Sequence, residues 1–115
     1  LIKFTLEERL TTKNYAIRHS GLAEAEATYA GKSANWIAQN KIKTMTRKEQ
    51  MIFALYYYWK NNARIDVEQI TYCTGSRYTN GGVPYVNWFG DNLSSNWIDP
   101  SAARDMWRPR PVLAL

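Results

Sequence analysis

The chain has 115 residues, 45% of them hydrophobic, and its 15 Lys and Arg against 10 Asp and Glu give a net charge of +5. This length and composition suit one domain spanning residues 1–115. A single cysteine, Cys73, excludes an intramolecular disulfide, and a single histidine, His19, excludes metal sites built on several histidines. No apolar run approaches the roughly 20 residues that cross a bilayer. We therefore expect a soluble domain with no transmembrane segment, no metal and no cofactor.

Residues 1–40 predict helix in more than one place. Thr5-Leu6-Glu7-Glu8 fits a capping box, in which Thr5 caps the helix and Glu8 reaches back to it, and this helix would run toward Arg18. The alanine-rich run 22–30 and the segment 33–38 also favour helix. Because Gly31 lies between them, residues 22–40 form either one helix or two.

Residues 46–75 carry the clearest helix signals. Thr46-Arg47-Lys48-Glu49 is a second capping box and predicts a helix over 47–60. The run 51–59 is apolar on every side, which is typical of a central helix surrounded by protein. Asp66 fits the N-cap of a third helix over about 67–74, which Gly75 would end.

Residues 76–115 differ in character from the rest. Asn80-Gly81-Gly82 is a turn signal between two strand-like segments, so we expect a small hairpin or aromatic loop near 76–90. Pro84 would restrict its strand to a sheet edge. Asp99-Pro100 predicts a last short helix through about Trp107. Together the elements predict a mostly α fold, a compact bundle of four or five helices around a central apolar helix.

The excess positive charge lies in the first half of the chain. Residues 1–60 hold ten basic and five acidic side chains, whereas residues 61–115 hold five of each. Cations on a helix N-terminus are unfavourable for the helix itself, but they strengthen a phosphate site built from its free N–H groups. Four cations lie just before and within the first turn of the predicted helix 47–60, which indicates a functional reason: Lys41, Lys43, Arg47 and Lys48.

Arginine and aromatic side chains supply a second set of candidate contacts. Arg104, Trp107, Arg108 and Arg110 lie near the C-terminal end, and Arg77 lies beside the predicted turn. Such side chains hold phosphates and stack on bases. The leading hypothesis is therefore a non-enzymatic nucleic-acid-binding domain, such as a viral or phage structural protein or a small regulator. It would act in the cytoplasm or within a virion, on DNA or RNA.

Two alternatives remain open. His19, flanked by Arg18 and followed by Glu24, offers an acid–base group, a cation and a carboxylate for a metal-independent ribonuclease, in the format of an excised and secreted toxin domain. No spacing in the sequence demands catalysis, so an enzyme is not the preferred interpretation. The eight Tyr and five Trp residues also suit a protein–protein interaction module or self-assembly. Leu1 is either a processed start or the boundary of an excised domain.

Overall fold

Helix and strand are mixed in the computed structural model, which describes residues 4–7, 16–89, 91–104 and 106–114. The predicted bundle of four or five helices is wrong, because these residues form only two α-helices. No helix in these ranges is long and apolar enough to cross a membrane. In chain order the elements are β1 (Phe4–Glu7), β2 (Ile17–Arg18), a 3-10 turn (Ala27–Tyr29), α1 (Ala34–Gln39), α2 (Arg47–Asn61), β3 (Ile70–Tyr72), β4 (Ser76–Tyr78), β5 (Val83–Phe89), β6 (Asn92–Ile98), β7 (Trp107–Arg108) and β8 (Leu113–Ala114).

Four strands form the main sheet, in the order β6-β5-β3-β7. β5 and β6 pair antiparallel along their whole length, from Val83 opposite Ile98 to Phe89 opposite Asn92. β3 pairs antiparallel with β5 and parallel with β7. Two smaller antiparallel pairs, β1 with β4 and β2 with β8, join segments far apart in the sequence. Most of this pairing is therefore non-local, and short sequence patterns carry little information about it.

The predicted glycine turn after β4 is present, but the two flanking strands pair elsewhere. The Tyr78 N–H donates to the Gly82 carbonyl over 2.9 Å, and Gly81 has a φ of 83°. β4 pairs with β1, whereas β5 lies between β6 and β3. The prediction that Pro84 restricts its strand to an edge is therefore wrong. Pro84 lacks only a donor, and its carbonyl still accepts the Cys73 N–H over 2.7 Å.

Helix α2 begins where its capping box predicts. The Thr46 hydroxyl accepts the Glu49 N–H over 3.3 Å, and the Glu49 carboxylate accepts the Thr46 N–H over 3.0 Å. The helix ends at Asn61, and Asn62 follows in the left-handed conformation with a φ of 51°. The helix predicted over 47–60 is thus confirmed, with one more residue at its end.

The helices predicted in the first forty residues are absent or shorter. β1 and β2 occupy parts of the helix predicted from Thr5 toward Arg18, and residues 8–15 of that span lie outside the described residues. Within the span 22–40, only α1 is α-helical, and it begins after Ser33, whose hydroxyl accepts the Trp36 N–H over 3.1 Å. The alanines before Gly31 lie in irregular and 3-10 backbone, so their helix propensity is overridden by tertiary contacts.

The helices predicted after Asp66 and Asp99 are also wrong. Asp66 has a φ of 53°, and its buried carboxylate pairs with Arg110 instead of capping a following helix. Strand β3 forms in this region. The Asp99 carboxylate accepts the N–H and the hydroxyl of Ser101 over 2.8 and 2.6 Å, which makes a local turn.

The hydrophobic core does not surround α2. Of the apolar run 51–59, only Phe53 and Ala54 are buried. The prediction of a central helix enclosed by protein is therefore wrong, because α2 covers one side of the core and turns another side to solvent. Two clusters make up the core: Met45, Phe53, Ala54 and Ile65 in one, and Ala34, Tyr72 and Val83 in the other.

Candidate functional site

Helix α2 exposes a row of large apolar side chains. Ile52, Leu55, Tyr56 and Trp59 are 58%, 54%, 51% and 79% exposed. Their spacing of three and four residues places them on one face of the helix, which we name the α2 stripe. Contiguous apolar surface of this kind marks interaction sites in soluble proteins. The α2 stripe is therefore a candidate functional surface.

The buried face of α2 explains why the stripe points outward. Glu49, Gln50, Phe53 and Ala54 are buried and fix the orientation of the helix. Glu49 completes the capping box, and the Gln50 amide donates to Asp66 over 3.1 Å. Because both polar side chains have hydrogen-bond partners inside the fold, this face is held inward and the apolar residues of the other face remain in solvent.

Cations border the α2 stripe. Lys48 precedes the stripe, Lys60 follows it, and both are exposed. The Lys60 ammonium lies 5.8 Å from the centroid of the Tyr56 ring, within the range of a cation–π contact. The only acidic residue of α2, Glu49, is buried. The exposed part of α2 is therefore apolar and positively charged.

A groove of about 460 Å³ lies along the flank of α2. His19 is held in it by two contacts. The Gly21 N–H donates to His19 Nδ1 over 3.0 Å, and the imidazole packs edge-on against the Phe53 ring with centroids 4.6 Å apart. The residues that line the groove are His19, Gly21, Phe53, Tyr56, Tyr57, Lys60 and Asn61.

The surroundings of His19 favour the neutral form of its imidazole. Burial lowers the pKa of His19 below its ordinary value, the positive Arg110 lowers it further, and the negative Glu49 opposes both. Since Nδ1 accepts a hydrogen bond, the neutral ring carries its proton on Nε2. The groove therefore offers one uncharged N–H donor in addition to the Lys60 ammonium.

Arg110 and Asp66 form a buried ion pair that ties three segments together. Arg110 Nη2 lies 2.7 Å from Asp66 Oδ1, and the guanidinium also donates to the carbonyls of Leu22 and Ala23 over 2.6 and 3.0 Å. Asp66 Oδ2 accepts the Thr71 hydroxyl over 2.7 Å. Burial raises the pKa of Asp66, while Arg110 and Thr71 oppose the rise. The two side chains are 2% and 0% exposed, so the pair acts inside the fold.

The cations predicted to bind nucleic acid fall into two groups. Lys41, Lys43, Lys48 and Arg104 are exposed, and the Arg104 guanidinium lies 5.2 Å from the ring centroid of half-buried Trp107. The other four are buried or half-buried and donate to oxygens of the fold: Arg47 to the Ser95 hydroxyl, Arg77 to the Thr74 and Ser76 carbonyls, Arg108 to the Ala25 carbonyl, and Arg110 to Asp66. The nucleic-acid hypothesis stays a prediction. The cations that face solvent, and could therefore contact a nucleic acid, are Lys41, Lys43, Lys48 and Arg104.

The three residues of the ribonuclease alternative are not brought together in the groove. His19 lines the groove, whereas Arg18 and Glu24 do not. The Glu24 carboxylate accepts the backbone N–H groups of residues 67–69 over 2.8, 3.1 and 2.8 Å, which stabilises that turn. In the part of the chain that the structure describes, no group of three or more His, Cys, Asp or Glu side chains is placed to hold a metal ion.

No protein-family model, curated protein or solved structure matches this chain. Function is therefore inferred from the chemistry of the α2 stripe and of the groove, and from no likeness of fold or sequence.

Sequence patterns missed the α2 stripe although its spacing is present in the sequence. Phe53, Ala54 and Tyr57 are apolar as well, so the helix reads as apolar all round and no polar face marks the solvent side. No sequence pattern predicted the groove, because the groove depends on the packing of the His19 segment against a helix much later in the chain.

Proposed function

We propose that this domain is a protein-interaction module that binds an acidic amphipathic helix along the α2 stripe. The observation that carries the proposal is the exposure of four large apolar side chains at helical spacing on α2. Residues at i, i+3, i+4 and i+7 form one apolar face of a helix that can pack against another amphipathic helix, and this is the spacing of the stripe. A partner that covers them gains about 25 cal/mol for each Å² of apolar surface removed from water.

The residue types of the stripe favour a protein partner. Trp59 and Tyr56 belong to the types enriched at interface hot spots, and their rings lie 6.1 Å apart. Ile52 and Leu55 add aliphatic surface, which packs well against apolar side chains but offers no flat face for a nucleic-acid base. The mixture of aromatic and aliphatic side chains therefore fits a helix of another protein.

The charge around the stripe favours an acidic partner over a second copy of this chain. Lys48 and Lys60 lie at the two ends of the stripe, and α2 exposes no acid. If two copies paired through their stripes, in either direction, each end would bring one lysine close to another. Like charges placed together disfavour a partner, whereas glutamates opposite these lysines favour it.

Titration with two designed peptides tests the charge and the shape of the partner together. Both peptides have the 15-residue length of α2 and carry leucines along one face; one has glutamates elsewhere and the other has lysines. We expect the glutamate peptide to bind at least tenfold more tightly, a difference of about 1.4 kcal/mol, with an affinity that falls as salt rises. Fluorescence anisotropy of a labelled peptide measures the two affinities and their dependence on salt. Equal affinities, or no binding of either peptide, contradict the proposal.

Leu55→Gln and Met106→Gln form a matched pair of variants for this titration. The two apolar side chains are 54% and 48% exposed, but only Leu55 belongs to the stripe. We expect Leu55→Gln to weaken binding of the glutamate peptide tenfold or more, because a central apolar anchor is lost. Met106→Gln should leave the affinity unchanged. An equal loss in both variants would mean that binding is not localised on α2.

Nucleic-acid binding is the second candidate function, favoured by the exposure of Lys41, Lys43 and Lys48 near the start of α2. Lysines of this kind contact phosphates without reading sequence. The backbone at this end of the helix is already engaged, since the Arg47 N–H donates to the Ser76 hydroxyl over 3.0 Å and the capping box takes two further N–H groups. Phosphates would therefore be held by the lysine side chains.

Replacing these three lysines with glutamine is expected to weaken binding of a single-stranded oligonucleotide and to reduce its dependence on salt. Each lost contact removes about 0.7 from the slope of log affinity against log salt, so the slope falls by about 2. Anisotropy titrations at several salt concentrations measure the slope, with Lys32→Gln as the control. If the parent chain does not bind at low salt, or if the slope is unchanged, this candidate is overturned.

A further inference from the structure

We propose that the groove beside α2 binds a nucleoside phosphate, with the base against its tyrosine rings and the phosphate at Lys60 and His19. The groove is a different surface from the α2 stripe and from the three lysines near the start of the helix, although Tyr56 and Lys60 border both groove and stripe. The proposal therefore rests on neither of the functions proposed above.

The size and the walls of the groove suit a planar ring. Its volume of about 460 Å³ lies within the range of small-molecule sites. Phe53, Tyr56 and Tyr57 line it from consecutive turns of α2, and the Phe53 and Tyr57 rings pack edge to face with centroids 5.9 Å apart. Aromatic side chains of this kind stack with bases of any sequence, because every base has a π face.

The charge of the groove suits an anion. Lys60 carries the only formal charge among the described residues that line it, and none of those residues is a carboxylate. His19 adds a neutral Nε2–H donor, since the Gly21 N–H occupies Nδ1. An ammonium and an imidazole N–H together are suited to a phosphate. The Asn61 side chain also lines the groove and offers its Oδ1 as an acceptor for a base edge, because its amide nitrogen donates to the Tyr57 carbonyl.

His19 makes the proposal measurable without a mutant. It is the only histidine of the chain, so its imidazole ε1 proton gives one unambiguous NMR signal. Among the described residues, Arg110 and Glu49 act on its pKa from within the fold, and Lys60 lines the same groove. A bound phosphate adds negative charge beside the ring and therefore raises its pKa.

We would titrate the protein with adenosine 5′-monophosphate, adenosine, inorganic phosphate and a short single-stranded oligonucleotide, and follow the His19 signal at several pH values. The monophosphate is expected to shift the signal and raise the pKa of His19. Adenosine and inorganic phosphate should each bind at least tenfold more weakly than the monophosphate. If the His19 signal responds to the oligonucleotide but not to the monophosphate, the groove binds a nucleotide as part of a nucleic-acid strand and not as a free molecule.

Lys60→Gln and Lys32→Gln are the matched variants. Each lysine lies over an aromatic ring four residues away on the chain, Lys60 at 5.8 Å from the Tyr56 centroid and Lys32 at 4.9 Å from the Trp36 centroid. Lys60→Gln should raise the dissociation constant of the monophosphate tenfold or more, and Lys32→Gln should leave it unchanged. The proposal is overturned if no nucleotide probe moves the His19 signal, or if the two variants weaken binding equally.

Discussion

Arg110→Leu is expected to lower the free energy of unfolding by about 3–5 kcal/mol at pH 7, because it leaves the buried Asp66 carboxylate without its positively charged partner. The substitution also removes the donors to the carbonyls of Leu22 and Ala23. Three segments distant in the sequence lose a shared contact at once. Urea denaturation followed by circular dichroism measures the change.

The loss of unfolding free energy caused by Arg110→Leu should become smaller as the pH falls. Burial raises the pKa of Asp66, and the loss of Arg110 removes a positive charge that opposes this rise. The folded variant then binds the Asp66 proton at a pH where the unfolded chain, near the ordinary value of 3.8, has released it. The stability of the variant therefore decreases as pH rises from this value through the raised pKa, and it recovers on acidification.

A second substitution supplies the control. Asp66→Asn in the Arg110→Leu background removes the unpaired charge, and asparagine tolerates the left-handed backbone of this position, where φ is 53°. The double variant should regain part of the lost stability at pH 7 and lose most of its dependence on pH. A double variant as unstable as the single one would show that the charge of Asp66 is not the cause.

Gly75→Ala is expected to lower the free energy of unfolding by about 1–3 kcal/mol, through overpacking against backbone. A Cβ on this residue would lie 2.7 Å from the Thr44 carbonyl oxygen and 3.1 Å from that of Met45. Neither atom belongs to a flexible side chain, so the two chain segments must separate. That separation would strain the hydrogen bond between the Thr44 and Thr74 hydroxyls and the one from the Gly75 N–H to Met45.

Equilibrium urea denaturation tests this close approach. The midpoint of Gly75→Ala should fall, and the slope of the free energy with urea should stay the same, because the native surface changes little. A midpoint equal to that of the parent protein would mean that residues 44–45 and 75 are farther apart than described.

The sequence predicted those elements whose determinants are local. The Thr46–Glu49 capping box needs only four consecutive residues, and it placed the start of α2 correctly. Asp66 shows the limit of such patterns. An aspartate that caps a helix and an aspartate that forms a buried ion pair look the same in the local sequence. Which role Asp66 takes depends on Arg110, which lies 44 residues later. The pairing of β2 with β8 is equally non-local.

The candidate site was harder to predict, because side chains of the same chemical class can either stabilise the fold or face solvent. Arg77 and Lys43 are both cations in the sequence, but Arg77 donates to backbone carbonyls whereas Lys43 stays in solvent. Leu55 and Phe53 are both apolar residues of one helix, yet only Phe53 belongs to the core. Which residue of α2 faces the core depends in part on the hydrogen bond from Gln50 to Asp66, and that contact is not visible in the pattern of α2 itself.

Leu55→Gln tests most directly whether α2 turns a binding surface to solvent, when stability and peptide affinity are measured on the same sample. The exposure of Leu55 predicts a change in the free energy of unfolding within about 0.5 kcal/mol. Its place in the stripe predicts at least a tenfold loss of affinity for the glutamate peptide. A loss of stability of about 2 kcal/mol or more, which is typical of a buried leucine, together with unchanged affinity, would mean that Leu55 belongs to the core and that α2 does not bind the peptide through it.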